Sequence, residues 1–270
     1  MKRIVKTLLI LIPVAVLIHD AGSGRMSVLR SLYNRHDLDV LLAKAVRSND
    51  SLEVQKLARR GADVNAQLWH AFGSRGPALF YAAAKGQADI AEILISEGAD
   101  VNATRVAESS CLTPLAVAAR NGHKNIVALL IANGADVDAC GGHGNTPLQE
   151  AILTRHTEVA ELLIHEGADI NTRENGGKTP LHLVLCVGFR DSRTPQQWGE
   201  AQTQLLKIFL SNGADVNALD SEGRTPLDYL QESHLRHKPA ERVKLMEEWR
   251  ALLIKHGAKT SKELDQEVAK

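Results

Sequence analysis

The chain has 270 residues with an ordinary hydrophobic share of 44%, and its 32 basic residues are balanced by 32 acidic ones. A neutral chain lacks a general positive field with which to neutralise phosphates, so no nucleic acid is expected as a partner. Three cysteines are too few, and an odd number, for a disulfide-built scaffold.

The first 24 residues read apart from the rest. MKRIVK is a basic start, TLLILIPVAVLI is an apolar run of 12 residues, and HDAGSGR supplies small residues after it. That order is the order of a secretory signal peptide. As a helix the run would span about 18 Å, against roughly 30 Å of hydrocarbon. Cleavage is expected at Ala21-Gly22-Ser23 or Gly22-Ser23-Gly24. The alternative is a retained membrane anchor, because Lys2, Arg3 and Lys6 before the run face Arg25, Arg30 and Arg35 after it and leave orientation open. Residues 25–35 read as a linker.

From residue 36 the chain repeats itself. Residues 36–66 hold Arg47, Ser48, Asn49, Asp50, Arg59 and Arg60, the polar surface that an end unit of a stack presents to water. They close on GADVNA at 61–66, which returns at 98–103 and 213–218, with GADVDA at 134–139, GADINT at 167–172 and GAKTSK at 257–262. The leading glycines stand 37, 36, 33, 46 and 44 residues apart, a unit of 33 with insertions. A second phrase keeps phase with the first: PALF at 77, TPLA at 113, TPLQ at 146, TPLH at 179 and TPLD at 225. Its threonine caps a helix whose first position suits proline. Alanines such as Ala82, Ala83, Ala118 and Ala119 allow close helix packing, and Gly86, Gly122 and Gly188 end that helix. A second apolar run follows at helical spacing, as in Ile90, Ile93 and Leu94, until the next GAD glycine stops it in a left-handed conformation. Each unit is helix, turn, helix and extended finger, over 36–66, 77–103, 113–139, 146–172, 179–218 and 225–260, with 261–270 as a tail.

These residues resemble the ankyrin repeat family. Thr179, Pro180, Leu181 and His182 give its signature tetrapeptide, and Asn121, Gly122 and His123 its turn between helices. Over about residues 36–260 the resemblance implies an all-α repeat solenoid, a stack of helix-turn-helix units joined by β-hairpin-like fingers. His182 and His123 would brace turns through hydrogen bonds. Pro77 and Phe80 depart from the pattern, as do insertions in repeats five and six. Within the first insertion Thr194-Pro195-Gln196-Gln197 is a capping box, so a lengthened helix is expected from about 195 to 211. Pro239 starts a similar run to Ile254, and the two long helices are expected to bury each other's extra turns.

The resemblance implies a non-enzymatic chain that holds a protein partner on its finger tips and concave face, without cofactor. Cys140 and His143 have a C-x-x-H spacing but no second pair for zinc, so no metal is expected. The eleven histidines form no H-E-x-x-H, and G-x-S-x-G and a phosphate loop are absent. The finger LWHAFGSRG at 68–76 carries Trp69 and Phe72, with Phe80 and Tyr81 close behind. Large aromatics on a protruding loop suit interface anchors, and the alternative is that they cover the edge of the first repeat. Arg120, Gln149 and Arg155 are the concave candidates of the central repeats. Cys111 and Cys140 fall on facing limbs of adjacent fingers, where an oxidising compartment would permit a disulfide, and the alternative is two unpaired thiols. Cys186 is expected free. The function expected is an exported, monomeric binding module, periplasmic or secreted, with an immunity-type inhibitor as one version. The alternative is a membrane-tethered adaptor.

Overall fold

The computed structural model describes residues 38–69, 75–107, 110–141, 144–187, 195–230 and 240–268. Residues 1–24, expected as a leader or anchor, and the expected linker 25–35 lie outside them. Among the described residues no helix is long and apolar enough to cross a membrane.

The first unit contains α1 (38–48) and α2 (Ser51–Arg59). Four units follow the phrase pattern: α3 (Ala78–Lys85) and α4 (Ala88–Ser96), α5 (Pro114–Arg120) and α6 (Lys124–Ala132), α7 (Pro147–Thr154) and α8 (Thr157–His165), α9 (Pro180–Val187) and α10 (Pro195–Ser211). The sixth pairs a 3-10 helix (Pro226–Leu230) with α11 (Ala240–Lys255). Helices α3, α5, α7 and α9 pack in succession as one layer, and α2, α4, α6, α8 and α10 as the other. Two fingers close as antiparallel hairpins, β1 (Leu68–Trp69) with β2 (Arg75–Gly76) and β3 (Arg105–Ala107) with β4 (Ser110–Leu112).

Each letter of the repeated phrases has a physical task. The third position of TPL is the core residue, and Leu79, Leu115, Leu148, Leu181 and Leu227 are at most 4% exposed. Truncating such a leucine costs about 2–5 kcal/mol. Thr113 accepts the Ala116 N–H, and Thr146 forms a full capping box with Gln149. Pro77 has no side-chain oxygen to do this, and α3 starts without a side-chain cap. In GADVNA the glycines all sit at φ between +81° and +91°, where a Cβ costs about 1–2 kcal/mol. The aspartate folds an Asx turn, as in Asn65 N–H to Asp63 Oδ1 at 2.9 Å and Asn217 N–H to Asp215 Oδ1 at 3.0 Å.

The asparagine reaches the next repeat. Its amide donates to the next GAD glycine carbonyl and its oxygen accepts the next aspartate N–H. Asn65 makes these bonds to Gly98 and Asp100 at 3.0 and 2.8 Å. Asn102, Asn171 and Asn217 repeat them on Gly134 and Asp136, Gly213 and Asp215, and Gly257 and Lys259. At the first of these phrases Asp39 accepts the Asp63 N–H at 2.7 Å.

The inter-helix turns lock in the same way. Asn121 Nδ2 lies 2.9 Å from the Ala84 carbonyl, and His123 Nε2 lies 3.2 Å from the same oxygen. The imidazole of His123 covers Gly86, and His156 covers Gly122 so closely that a Cβ there would stand 2.4 Å from its ring. Arg155 takes the glycine place in the next turn, at φ +66°.

The end of the stack departs from the pattern. Helix α10 spans the range that its capping box indicates, and Val184, Leu185 and Leu230, bulkier than the alanines of earlier repeats, are fully buried beside it and α11. Buried Trp249 of α11 donates to Thr203 Oγ1 of α10 at 2.8 Å. The first helix of repeat six is a short 3-10 turn rather than an α-helix. Asp228 there accepts from the Thr225 backbone and hydroxyl at 2.9 and 3.1 Å, and also from the Ser261 N–H at 3.0 Å. Beyond it, Ser261–Val268 form helix α12 in place of the expected tail, started by a reciprocal bond pair between Thr260 and Glu263.

Candidate protein-interaction surface

The fourth letter of the TPL phrase decides how each first helix meets the following finger. His182 takes its Nδ1 to the Thr179 hydroxyl at 2.9 Å and its Nε2 to the Arg224 carbonyl at 3.1 Å. Gln149 does the same work with an amide, accepting the Thr146 N–H at 2.9 Å and donating to the Thr172 carbonyl at 2.8 Å. Phe80 can do neither and instead offers its ring face to Arg105, whose guanidinium carbon lies 5.3 Å from the centroid.

This corrects the placement of Gln149 on the partner-facing surface. It is fully buried, and both ends of its amide are used within the fold. The other central candidates stay accessible. Arg120 is half exposed and lies 3.7 Å from the carboxylate of Glu150, which is itself buried and also accepts from Asn145 at 3.2 Å. Arg155 is partly exposed at its left-handed turn. Tyr81 is partly exposed and stands edge-on to Phe80, ring centroids 5.4 Å apart. Trp69 lies on β1 opposite Arg75, and its side chain, like all of Phe72, falls outside the described residues. Cys140 is exposed with a free thiol. Cys111 lies on β4 opposite Val106, its side chain outside the described residues.

The structure adds a row that phrase-by-phrase reading of the sequence missed. The eighth position of the phrase is Ala84, Arg120, Leu153 and Cys186 in successive repeats, and all four are partly or fully exposed. Leu153 is 40% exposed, although the leucine five residues earlier in the same helix is completely buried. Aligning the units by phrase would have shown this position to vary in chemistry while the third never does.

Next to this row a polar cluster joins repeats five and six. Asp220 accepts from Tyr229 Oη at 2.5 Å and from Arg224 Nε and Nη2 at 3.0 and 2.9 Å. Burial alone would raise the Asp220 carboxyl, but these bonds outweigh it and hold the group far below the usual carboxylate range. Tyr229 is pushed up by burial and by that same bond. His182, edge-on to Tyr229 at 5.5 Å, is lowered by burial. Burial pushes the Cys186 thiol up to about 11.

A cleft of about 530 Å³ between α10 and α11 is lined by Gly199, Thr203 and Leu245 together with charged residues. Among the described residues no group of three or more His, Cys, Asp or Glu side chains converges to hold a metal.

The stack is an all-α repeat solenoid, and residues 79–174 match the family model for ankyrin repeats, in three copies. Ankyrin repeats are protein–protein interaction scaffolds, and the match is to no catalytic family. No curated protein matches the chain. Beyond residue 174 the Asn171 and Asn217 bonds continue the same register.

Proposed function

We propose that the chain is a non-enzymatic, exported scaffold that holds one protein partner against its first-helix face and finger tips. The supporting observation is the division of labour within the repeat. The recurring letters are consumed inside the stack, whereas the eighth position, exposed at Arg120 and Leu153 and partly covered at Ala84 and Cys186, differs each time: small, cationic, aliphatic, thiol. A rigid frame with variable exposed side chains suits recognition at low entropic cost. Trp69 and Phe72 of the first finger serve as aromatic anchors. Export rests on the basic start, the 12-residue apolar run and the small residues after it. Inhibition of a secreted enzyme by occlusion is one form that such a scaffold takes.

Affinity capture of the mature chain with mass spectrometry identifies the partner, and its titration against variants tests the surface. Replacing Trp69 and Phe72 with alanine should weaken binding by about 2–4 kcal/mol with little change in thermal midpoint. Lost stability with unchanged affinity would instead place the aromatics over the edge of the first repeat. Fractionation tests export. A soluble chain starting near residue 22–25 supports it, and an uncleaved chain in the membrane fraction establishes the tethered adaptor.

A further inference from the structure

Counting back 21 residues from the GAD glycines at 98, 134 and 167 lands on Pro77, Thr113 and Thr146, each the first residue of its phrase. These residues and the ones after them, Ala78, Pro114 and Pro147, are buried. The same count from Gly61 lands on Val40, followed by Leu41, and here the two positions are 54% and 45% exposed. The rest of α1 is an ordinary member of the stack, with Leu42, Ala45 and Val46 in the core. A single apolar side chain on a surface needs no explanation, but this pair stands where the next three repeats bury both residues. In those repeats the chain arrives from a finger. In the first it arrives from residues 25–37, which lie outside the described residues.

We propose that the segment 26–36 of this same chain docks over Val40 and Leu41, so that the amino-terminal end of the stack is an internal surface closed to the partner. The residues of the segment select it as the occupant. Val28 and Leu32, and Leu29 and Tyr33, are pairs four apart, which puts all four on one side of a helix and leaves Arg30, Ser31, Asn34 and Arg35 to water. Asp37, a preferred capping residue, stands immediately before the first residue of α1, so the helix starts there and the preceding chain is free to turn. Reach is sufficient. Residues 34–37 span up to about 13 Å when extended, whereas Val40 and Leu41 lie only about 3 to 5 Å along the axis from the start of α1. Removal of a leader near residue 22–25 leaves the segment on the mature chain. The cover holds whether or not the concave face carries a partner.

Hydrogen exchange read by mass spectrometry on the purified chain tests the cover. Peptides within 26–36 should exchange at least about tenfold more slowly than an unstructured chain, and equally so across about a hundredfold range of protein concentration. Leu41→Asp should abolish that protection while peptides of repeats three and four, 113–169, keep theirs. The double change Leu29→Asp with Leu32→Asp should abolish it from the other side and also speed exchange in 42–46. Protection that survives Leu41→Asp belongs to a segment held by itself rather than on the stack, and overturns the cover. Protection that grows with concentration, with a dimer in sedimentation that Leu41→Asp dissolves, gives the edge to a second copy and overturns it too. A segment without protection at any concentration leaves the edge to a partner, to a bilayer or to Trp69 and Phe72, and is equally fatal. Should Leu41→Asp fail to fold, as exchange in repeats three and four would report, the double change in the segment, which lies outside the core of the stack, decides alone.

Discussion

One rung of the inter-repeat ladder is defective, and replacing Asp138 with Asn should repair it. At four interfaces the asparagine of the GADVNA phrase donates to the next glycine carbonyl over 3.0 to 3.4 Å and accepts the next amide N–H at 2.8 to 2.9 Å. Between repeats three and four the phrase is GADVDA. Asp138 still accepts the Asp169 N–H, at 3.0 Å to Oδ1 and 3.2 Å to Oδ2, but a carboxylate has no proton to give the Gly167 carbonyl. Its carboxyl is raised by burial and by the nearby charges of Asp169 and Asp136, in spite of that backbone bond. Asp138→Asn adds one hydrogen bond, about 0.5–1.5 kcal/mol, and removes like-charge repulsion of a few tenths of a kcal/mol at this partly exposed site. The expected gain is about 1–2 kcal/mol, or about 2–8 °C in thermal midpoint. Urea unfolding followed by circular dichroism measures it at neutral pH. A second condition fixes the cause. An acid raised by folding costs stability above its unfolded-state value, and that cost vanishes as pH falls below it, so the advantage of the variant should shrink on going from pH 7 to below 4. Asn102→Asp should produce a comparable loss at the preceding interface. A neutral or destabilising Asp138→Asn, or a gain that persists unchanged in acid, would refute the ladder argument.

Gly134→Ala and Gly122→Ala separate backbone strain from steric conflict. Both sit at positive φ, but a Cβ at Gly134 meets nothing within 4 Å, whereas at Gly122 it meets His156. The first should cost about 1–2 kcal/mol and the second about 1 kcal/mol more or worse, and equal costs in urea unfolding would show that the His156 contact is soft. His182 is lowered by burial from an ordinary value of 6.5, so the unfolded chain takes up the proton first. Stability should therefore be full above that value and fall as pH drops below it. Comparison of parent with His182→Gln, which copies the Gln149 bonding, should show that acid-side loss only in the parent. Thiol labelling near pH 8 should modify exposed Cys140 quickly and Cys186, raised to about 11, much more slowly. Three reactive thiols under denaturing, non-reducing conditions indicate no bridge, and a single one would establish the Cys111–Cys140 disulfide.

What the sequence determined by itself was everything that depends on neighbours a few residues away. The left-handed glycines, the Asx turns and the threonine caps all arise from contacts within about four residues, which the phrases GADVNA and TPL spell out directly. The pattern also implied that units must stack, because one unit alone leaves its leucine face uncovered. The tertiary structure decided what each exposed-looking polar residue meets across the stack. Gln149 reads from sequence as a surface amide, yet it is buried where the finger that closes its own repeat brings the Thr172 carbonyl to it. Asp138 differs from an asparagine by one atom, and its defect exists only because Gly167 and Asp169 of the following repeat lie opposite. Arg105 meets the Phe80 ring when β3 is laid beside β2, over a ring that stands where a histidine would have stood. These contacts join residues 23 to 31 positions apart, the asparagine bonds reach 44, and insertions alter that spacing from unit to unit, so which side chains meet is settled by the register of stacked helices and fingers rather than by any local preference.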